Sequence, residues 1–457
     1  MKIFVNSTKA VQLVHQLGEE FAVIKNPSYI YPPFEIYPLA PKQRNPLNRI
    51  LGIVMDMDGT TTTTEALCIH SLEFMMRKIT DRMSRLKWQG LNRLKDYPHI
   101  IGNSTTKHIE YLIKSYGKLI KSNALRRSYL EACLWFFIHG KDPSRLAEVI
   151  NNLQNLGLKE LLNDPHLEKM RRLKSKQKTI PATVRKYFMD KYSAMIKADN
   201  FSQMVRMAID IYYQRYHEIL TKIEDGAGEQ LSQELLGESN RHLIKPMPGI
   251  GIFLALIKGL LGEELTAFAS RLLPHLQKID PIFVSRLDRE IVKNQLYRLG
   301  CFFQNHPAKV AVVTSSIFYE AHIVLSEVFR ILYSEVNHWP LSEKRKKIVR
   351  QHFSNYQSFY DVFITASDSS EIRLKPHRDL YSIALHRLGI PPSKFKQVIG
   401  FEDSESGTIA IRAAGIGRCI AVPFSETAHH NFTAATHIIQ GGIPETIIKY
   451  HVFVNLR

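Results

Sequence analysis

Hydrophobic residues along the chain follow three successive spacings, and each spacing predicts a different kind of element. A short continuous apolar run, "RILGIVMD", ends at Asp56 and is typical of a buried parallel strand. From about Cys68 to Arg241, apolar residues recur three and four positions apart, which predicts a long run of helices. A break at "KPMPGIG" and a further helical stretch follow, and strand-like and helix-like segments alternate from Lys309 onwards.

The alternating C-terminal part predicts a parallel sheet covered by helices on both faces. Its strands are "KVAVVTSS", "YDVFITASD", "KQVIGFEDSESG", "RCIAVPF" and "ATHIIQGG", and helical segments lie between most of them. Together with "RILGIVMD" they predict a doubly wound α/β fold, into which the helical region is inserted after the first strand. In such folds ligands bind outside the carboxyl ends of the strands.

Polar side chains collect at those carboxyl ends. They are Asp56 and Asp58 after the first strand, Thr314, Ser315 and Ser316 after the second, Lys375 at the helix after the third, and Glu402, Asp403 and Ser404 after the fourth. Because the ends of parallel strands converge on one rim, we expect these groups to lie close together. Clustered carboxylates repel one another unless a cation or hydrogen-bond donors compensate them.

This set of groups predicts a phosphate site with a metal ion. Mg²⁺ is the hard cation that suits carboxylate oxygens best, and together with a lysine it would hold a phosphate dianion. One aspartate would attack phosphorus and form an aspartyl-phosphate. The second aspartate would protonate the leaving oxygen, because two residues of extended chain place both side chains on the same side.

Four motifs in this order make the chain resemble a known superfamily. They are "DMDGT" from Asp56, "VAVVTSS" ending at Ser316, "KPHRDLY" from Lys375 and "EDSESGTIAIRAAG" from Glu402. The chain resembles the haloacid dehalogenase-like phosphohydrolases, in the subgroup of phosphoglycolate phosphatase and β-phosphoglucomutase. The resemblance covers residues 51–66 and 246–457.

The resemblance implies a role for each acid. Asp56 would be the nucleophile, and Asp58 would be the general acid and base. Mg²⁺ would be held by Asp56, by Asp58 through its main-chain carbonyl, by Asp403 and by Glu402. For Glu402 two other interpretations stay open, an acceptor behind the metal ligands or a partner for Lys375.

The resemblance also implies a phosphate-binding set and a cap. Thr314, Ser315 and Lys375 would bind the transferring phosphoryl group. The helical region would be an all-α cap that closes over the substrate, shields the intermediate from water and sets specificity. Two departures from the family pattern are Arg378, in place of a proline, and Thr63, in place of an aspartate within "TTTTTE".

On this basis the chain divides into four parts. They are an N-terminal extension at 1–50, an α/β core at 51–66 and 300–457, a helical cap at 67–245, and a return from the cap with a helical insertion at 246–299. The extension ends in a stretch rich in proline and tyrosine and is predicted to be extended. At 457 residues the chain is long enough for such a division.

The charge balance adds one question about partners. With 61 Lys and Arg against 43 Asp and Glu, the net charge is +18, which fits either solvated basic faces or an anionic partner. Two basic runs stand out, "KMRRLKSKQK" at 169–178 and "EKRKKIVR" at 343–350. Neither run has interleaved aromatic residues or belongs to a known module, so a nucleic-acid partner is the less favoured interpretation.

Cysteines and apolar windows indicate the compartment. The four cysteines are widely spaced and form no CxxC pair, which argues against a zinc site or a disulfide framework and fits a reducing environment. The most apolar windows, "GIFLALIKGLLG" and "ACLWFFIHG", are shorter than a membrane span. We therefore expect a cytoplasmic protein without a membrane partner.

These observations predict a Mg²⁺-dependent phosphohydrolase that cleaves a small phosphate monoester. A phosphomutase is the alternative enzyme, because the same groups would serve if a substrate hydroxyl, rather than water, accepted the phosphoryl group. A third interpretation comes from another class. It is a basic nucleic-acid-associated or scaffolding protein that retains the fold, and the charge of +18 motivates it.

Overall fold

The computed structural model describes residues 4–26, 31–84, 86–101, 105–172, 180–198, 200–237, 242–368 and 373–456 of the chain. Contacts divide the chain into two compact units. We call Met1–Thr64 together with Ile244–Arg457 the core unit, and Glu65–Leu243 the insertion unit. The four-part division expected from the sequence stays a prediction beside this grouping.

The strands of the core unit are β1 (Phe21–Lys25), β2 (Phe34–Pro38), β3 (Gly52–Asp56), β4 (Thr62–Thr63), β5 (Lys245–Pro246), β6 (Lys309–Val313), β7 (Val362–Ile364), β8 (Val398–Glu402), β9 (Arg418–Ala421) and β10 (His437–Ile438). Among the described residues, six of them form one sheet in the order β10-β9-β8-β3-β6-β7, and each neighbouring pair is parallel. The strand order reverses at β3, which lies between β6 and β8. Ligands bind at such a point in open α/β sheets.

Helices occur in both units. The core unit begins with α1 (Ser7–Leu17). The insertion unit contains α2 (Glu65–Ile79), α3 (Tyr97–Ile100), α4 (Thr105–Tyr116), α5 (Ser122–His139), α6 (Pro143–Asn155), α7 (Pro165–Arg172), α8 (Ala182–Tyr192), α9 (Phe201–Lys222) and α10 (Gly228–Leu236). The core unit continues with α11 (Ile250–Ile257), α12 (Ala269–Gln277), α13 (Pro281–Ser285), α14 (Arg289–Asn305), α15 (Phe318–Glu335), α16 (Glu343–His352), α17 (Tyr356–Phe359), α18 (Asp379–Arg387), α19 (Glu405–Ala413) and α20 (Gly442–Ile448). The described part of the insertion unit contains helices and no strand. The predicted fold class, a parallel α/β sheet with an inserted all-α region, is confirmed.

Burial explains why these residues form these elements. Ile53, Val54 and Met55 of β3 expose none of their surface, as expected for a strand that is covered on both faces. In α9 the buried residues Val205 and Tyr212 are seven positions apart, so one face of that helix packs against α5 and α2. The N-terminal extension contains α1 and the antiparallel pair of β1 and β2, which the sequence did not predict.

The apolar windows noted in the sequence are buried helices. "GIFLALIKGLLG" contains most of α11, which is buried at every position, and "ACLWFFIHG" covers the end of α5. Within the described ranges, no helix combines the length and the apolar character that crossing a bilayer would require. Of the basic runs, 343–350 lies on α16 and 169–172 lies on α7, while 173–178 lies outside the described residues.

Candidate active site

The site begins at the carboxyl end of β3, where Asp56 is 6% exposed. The chain turns away directly afterwards, and the main-chain N–H of Thr61 donates to the carbonyl of Met57 at 2.9 Å. Gly59 has a φ of 91°, and a Cβ at this position would lie 2.3 Å from Oδ2 of Asp403. Glycine is therefore required here, because the turn passes so close to the carboxylate that follows β8.

The threonines after Gly59 join this turn to its surroundings through their hydroxyl groups. Thr60 donates to Asp403 at 3.3 Å, Thr61 to the carbonyl of Asp56 at 2.7 Å, Thr62 to the carbonyl of Lys245 at 2.8 Å, and Thr64 to Oδ1 of Asp58 at 3.0 Å. Thr62 and Thr63 also form β4, which pairs with β5. The run "TTTTT" is thus a hydrogen-bonded flap that connects the two aspartates to the start of β5.

Lys375 places its ammonium group between the ends of β3 and β8. Its Nζ donates to Asp56, to Oε1 of Glu402 at 2.7 Å and, at the longer distance of 3.4 Å, to the carbonyl of Val313. Its side chain is 6% exposed. Burial works to lower the pKa of Lys375, but the charges of Asp56 and Glu402 outweigh burial and raise that pKa, so the lysine stays positively charged.

Glu402 uses both of its carboxylate oxygens on hydrogen-bond donors. Oε1 accepts from Lys375 and, at 3.2 Å, from the hydroxyl of Tyr381. Oε2 accepts from the main-chain N–H groups of Asp403 and Ser404, each at 3.0 Å, and from the Ser404 hydroxyl at 2.9 Å. Of the three interpretations left open by the sequence, this geometry agrees best with a partner that holds Lys375.

Three carboxylates are close enough to share a cation. Oxygens of Asp56, Glu402 and Asp403 lie within 4.8 Å of one another, and all three residues are buried. Burial and the charge of Glu402 raise the pKa of both Asp56 and Asp403 well above the usual value. Because Lys375 offsets only part of the negative charge, these oxygen donors fit a hard divalent cation such as Mg²⁺.

Asp58 lies beside the cluster and has its own set of hydroxyl donors. Besides Thr64, Ser316 donates to Oδ2 of Asp58 at 3.3 Å, and Thr314 reaches the same oxygen at 3.5 Å. Burial raises the pKa of Asp58, while the hydrogen bonds from Thr64 and Ser316 work to lower it. The neighbouring Asp56 and Asp58 therefore have different surroundings, as groups with different tasks require.

The structure brings together nearly all of the predicted site residues, namely Asp56, Asp58, Thr314, Lys375, Glu402 and Asp403. Ser315 is placed differently, because its side chain is exposed. Its neighbour Ser316 contacts Asp58 instead. The catalytic, phosphate-binding and metal-binding roles of these residues stay predictions.

Three hydroxyl donors behind the acids could not be singled out from the sequence. Ser316 is one of them, and its place at a strand end, two positions after Thr314, was the available signal. Tyr381 closes the motif "KPHRDLY" and donates to Glu402, and its position in that motif was the available signal. Thr64 had no signal beyond its place in the threonine run.

Comparisons with known proteins give short matches to curated proteins, one of which is called a putative phosphatase. The chain is 35% identical over 81 residues to "Putative phosphatase YhcW" of Bacillus subtilis (strain 168), which is 18% of this chain and 34% of that protein. It is 37% identical over 65 residues to "Protein CbbY" of Cereibacter sphaeroides, or 14% of this chain and 26% of that protein. The chain thus spans about a third or less of these curated relatives. The predicted resemblance to haloacid dehalogenase-like phosphohydrolases is confirmed.

Other comparisons add little to this resemblance. No protein-family model matches the chain. A solved structure of CbbY from Rhodobacter sphaeroides in complex with phosphate aligns over 87% of this chain and 96% of that chain, with 15% identity and a TM-score of 0.38. Because that score is low, the resemblance rests on the short sequence matches and on the motifs at the strand ends.

Proposed function

We propose that this protein is a Mg²⁺-dependent phosphohydrolase that cleaves a small phosphate monoester. One observation carries the proposal. The carboxylate of Asp56, at the end of the central strand, is bound by the buried ammonium of Lys375 and lies in one cluster with Asp403. A nucleophilic carboxylate, a lysine for the phosphoryl oxygens and an acid for a cation are the parts that phosphoryl transfer needs.

In the first step, a carboxylate oxygen of Asp56 attacks phosphorus and the bond from phosphorus to the ester oxygen breaks. The electron pair leaves with that oxygen, which takes a proton from the carboxyl group of Asp58. Burial raises the pKa of Asp58, which is the direction that this role requires, because a general acid must hold its proton before the leaving alcohol takes it. The product of this step is an aspartyl-phosphate on Asp56.

In the second step, water attacks the phosphorus of the aspartyl-phosphate and Asp58 removes its proton. The bond from phosphorus to Asp56 breaks, so the carboxylate is regenerated and inorganic phosphate leaves. Lys375 stays charged throughout and stabilises the negative charge on the phosphoryl oxygens. Thr314 and Ser316 hold Asp58 in place. We keep Thr314 as a phosphate-binding residue, whereas Ser315, which is exposed, could reach the phosphoryl group only from the solvent side.

Asp56 and Asp403 would hold the Mg²⁺ ion, together with the main-chain carbonyl of Asp58. When bound, the ion would neutralise charge on the phosphoryl group and on both aspartates. We assign Glu402 to Lys375 rather than to the ion, because its oxygens already accept hydrogen bonds from five donor groups. The role of the insertion unit as a cap stays a prediction.

We also propose a cytoplasmic location. All four cysteines, Cys68, Cys133, Cys301 and Cys419, lie in described ranges, and no disulfide joins any two of them. Cysteines that form no disulfide, including partly exposed ones, are typical of proteins in a reducing compartment. Nucleic acid stays the less favoured partner, because three basic residues of α16, Arg345, Lys346 and Arg350, are partly buried and already contact Glu264, Glu343 and Tyr333.

The test is phosphate release from p-nitrophenyl phosphate with Mg²⁺ and with EDTA. We expect Asp56→Asn to lower kcat by roughly 10³-fold or more. Asp361→Asn is the matched control, because Asp361 is also an aspartate of the core unit that is paired with a lysine, Lys258, at 2.6 Å. Near-normal turnover by Asp56→Asn would refute the proposal, and release of an isomerised sugar phosphate instead of inorganic phosphate would favour a mutase.

A further inference from the structure

The N-terminal hairpin, formed by β1 and β2, packs against the helix that follows the Glu402 motif. Its inward-facing residues Ala22, Ile24 and Tyr37 are each 7–8% exposed and belong to one buried apolar cluster with Ala413 of α19. α19 begins at Glu405, directly after the turn that contains Asp403. The hairpin is therefore attached to one of the segments that supply the candidate active site.

A buried arginine strengthens this attachment. Arg412 of α19 is completely buried, and it donates through Nε to the carbonyl of Ala40 at 2.6 Å. It also pairs with Glu20, just before β1. The main-chain N–H of Ala40 in turn donates to the carbonyl of Arg412 at 3.0 Å. Both ends of the hairpin are thus bound to α19, and the position of Tyr37 relative to α19 is fixed.

The hydroxyl of Tyr37 contacts the loop that carries Lys375. It donates to Glu35, accepts from Arg373 and lies 3.0 Å from Nδ1 of His377. A phenol has one proton to donate and two lone pairs. Because that proton goes to Glu35, Nδ1 of His377 must be the donor in the last contact. The hydroxyl is therefore fully used, and two of its three partners belong to the Lys375 loop.

The two loop residues that Tyr37 holds lie two positions before and two positions after Lys375. The loop also has contacts of its own, because Nε of Arg373 lies 3.3 Å from Asp379 at the start of α18, and the N–H of His377 donates to the carbonyl of Leu374 at 2.9 Å. These contacts close the loop on both sides of Lys375. The hydroxyl of Tyr37 ties this closed loop to the hairpin.

We infer that Tyr37 is a positioning residue, which holds Arg373 and His377 so that the Lys375 ammonium stays between Asp56 and Glu402. The N-terminal hairpin thereby connects two segments of the site, the Lys375 loop through Tyr37 and the Asp403 turn through α19. The consequence for phosphate rests on the proposed function, whereas the placement of Lys375 does not.

The direct test is the rate at which the amine of Lys375 is labelled by reductive methylation, measured by peptide mass spectrometry. In the wild-type protein the Lys375 side chain is 6% exposed and its amine is paired with two carboxylates, so we expect the amine to react slowly. In Tyr37→Phe we expect labelling to rise by about fivefold, which is the change in population that one lost hydrogen bond produces. Lys258, paired with Asp361, is the internal reference, whose rate should not change.

The matched control is Tyr333→Phe, which also removes a tyrosine hydroxyl bound to an arginine. Tyr333 accepts from Arg350 at 2.8 Å, and that arginine lies over its ring, in helices that do not carry Lys375. This control should leave the labelling of Lys375 unchanged. With p-nitrophenyl phosphate as the probe, Tyr37→Phe should raise KM by about fivefold and Tyr333→Phe should not.

Equal Lys375 labelling in the Tyr37→Phe and Tyr333→Phe proteins would overturn the inference. If Tyr37→Phe fails to fold, Arg373→Met replaces it, and the same criterion applies. This substitution removes the contact with Tyr37 from the loop side, at a side chain that is about a third exposed. If Tyr37→Phe raises the labelling of Lys375 while Asp56→Asn keeps its activity, the inference is supported and the proposed function is refuted. If Tyr37→Phe leaves the labelling unchanged while Asp56→Asn is inactive, the proposed function is supported and the inference is refuted.

Discussion

Oε1 of Glu402 lies 2.7 Å from Nζ of Lys375, while Oε2 of the same residue accepts the hydrogen bonds of the turn after β8. Glu402 therefore connects Lys375 to the turn that carries Asp403. Removing its charge should loosen Lys375 without removing a metal ligand. For Glu402→Gln we expect KM for p-nitrophenyl phosphate to rise about tenfold, because hydrogen bonds to charged groups are among the strong ones.

The Mg²⁺ requirement distinguishes this role from that of a ligand. In Glu402→Gln the Mg²⁺ concentration for half-maximal activity should stay within about threefold of the wild-type value, because the side-chain oxygen of glutamine can still accept from the main-chain N–H groups of Asp403 and Ser404. Asp403→Asn is the comparison and should raise that concentration by on the order of 100-fold or more. A Glu402→Gln protein that needs as much Mg²⁺ as Asp403→Asn would identify Glu402 as a ligand.

The hydroxyl of Thr64 holds Asp58, and its loss should affect the proton-transfer step. Thr64→Val keeps the shape of the side chain but removes the 3.0 Å hydrogen bond to Oδ1 of Asp58. We expect kcat to fall by about tenfold, because a misoriented carboxylate is a poorer general acid. Thr63→Val is the control, as Thr63 is the next residue along the same flap, and its kcat should change less than about twofold. Equal effects in both variants would contradict the assignment.

Gly407 leaves room for Glu402 at the start of α19. A Cβ at this position would lie 1.7 Å from Oε1 of Glu402, so alanine must displace that carboxylate and, with it, Lys375. We expect Gly407→Ala to lower the free energy of unfolding by about 1–3 kcal/mol, the cost of overpacking. Its kcat/KM should fall at least about tenfold, the change that 1.4 kcal/mol of transition-state stabilisation corresponds to.

Gly117→Ala provides the matched control for that steric argument. Nothing lies within 4 Å of a Cβ built on Gly117. Its effect on the free energy of unfolding should therefore stay within about 1 kcal/mol. Unfolding curves in urea and initial rates of phosphate release, measured on both variants, provide the comparison. A fully active Gly407→Ala protein would show that Glu402 is not constrained at this point.

The sequence predicted the parts of the site that depend on strand ends, because a parallel sheet converts chain order into spatial proximity. Asp56, Lys375 and Asp403 could be placed together for that reason. Ser316 rather than Ser315 contacts Asp58, since the alternation of an extended strand stops at its last residue and the turn then decides which hydroxyl faces Asp58. The phosphate-binding role expected of Ser315 stays a prediction.

Contacts between distant parts of the chain could not be predicted in the same way. Tyr37 precedes Arg373 by 336 positions, and nothing in the Pro- and Tyr-rich stretch indicates which tyrosine faces the Lys375 loop. The same applies to Arg412, whose complete burial depends on carbonyl groups of Ala40 and Ala434. An arginine in a helix is ordinarily read as a surface residue, so its buried hydrogen bonds become visible only in the folded chain.

The stability of the insertion unit should depend on pH through one buried carboxyl group. Burial raises the pKa of Asp210, in α9, from 3.8 to about 7, although Asn152 donates to both of its oxygens and the charge of Arg145 works to lower the pKa. Between these two pH values the folded state keeps a proton that the unfolded state releases. The free energy of unfolding should therefore fall as pH rises from about 4 to about 7, by up to roughly 4 kcal/mol, and then level off.

Amide hydrogen exchange of α9 peptides at pH 4.5, 6 and 7.5, corrected for the intrinsic effect of pH on exchange, measures this local stability. Asp210→Asn should remove most of the slope, because asparagine does not titrate and can still accept from Asn152. Asp225→Asn is the control, since Asp225 is exposed in the same unit, and it should keep the wild-type slope. If Asp210→Asn loses stability with pH as steeply as the wild type, the slope comes from another group and the buried carboxyl of Asp210 is not its source.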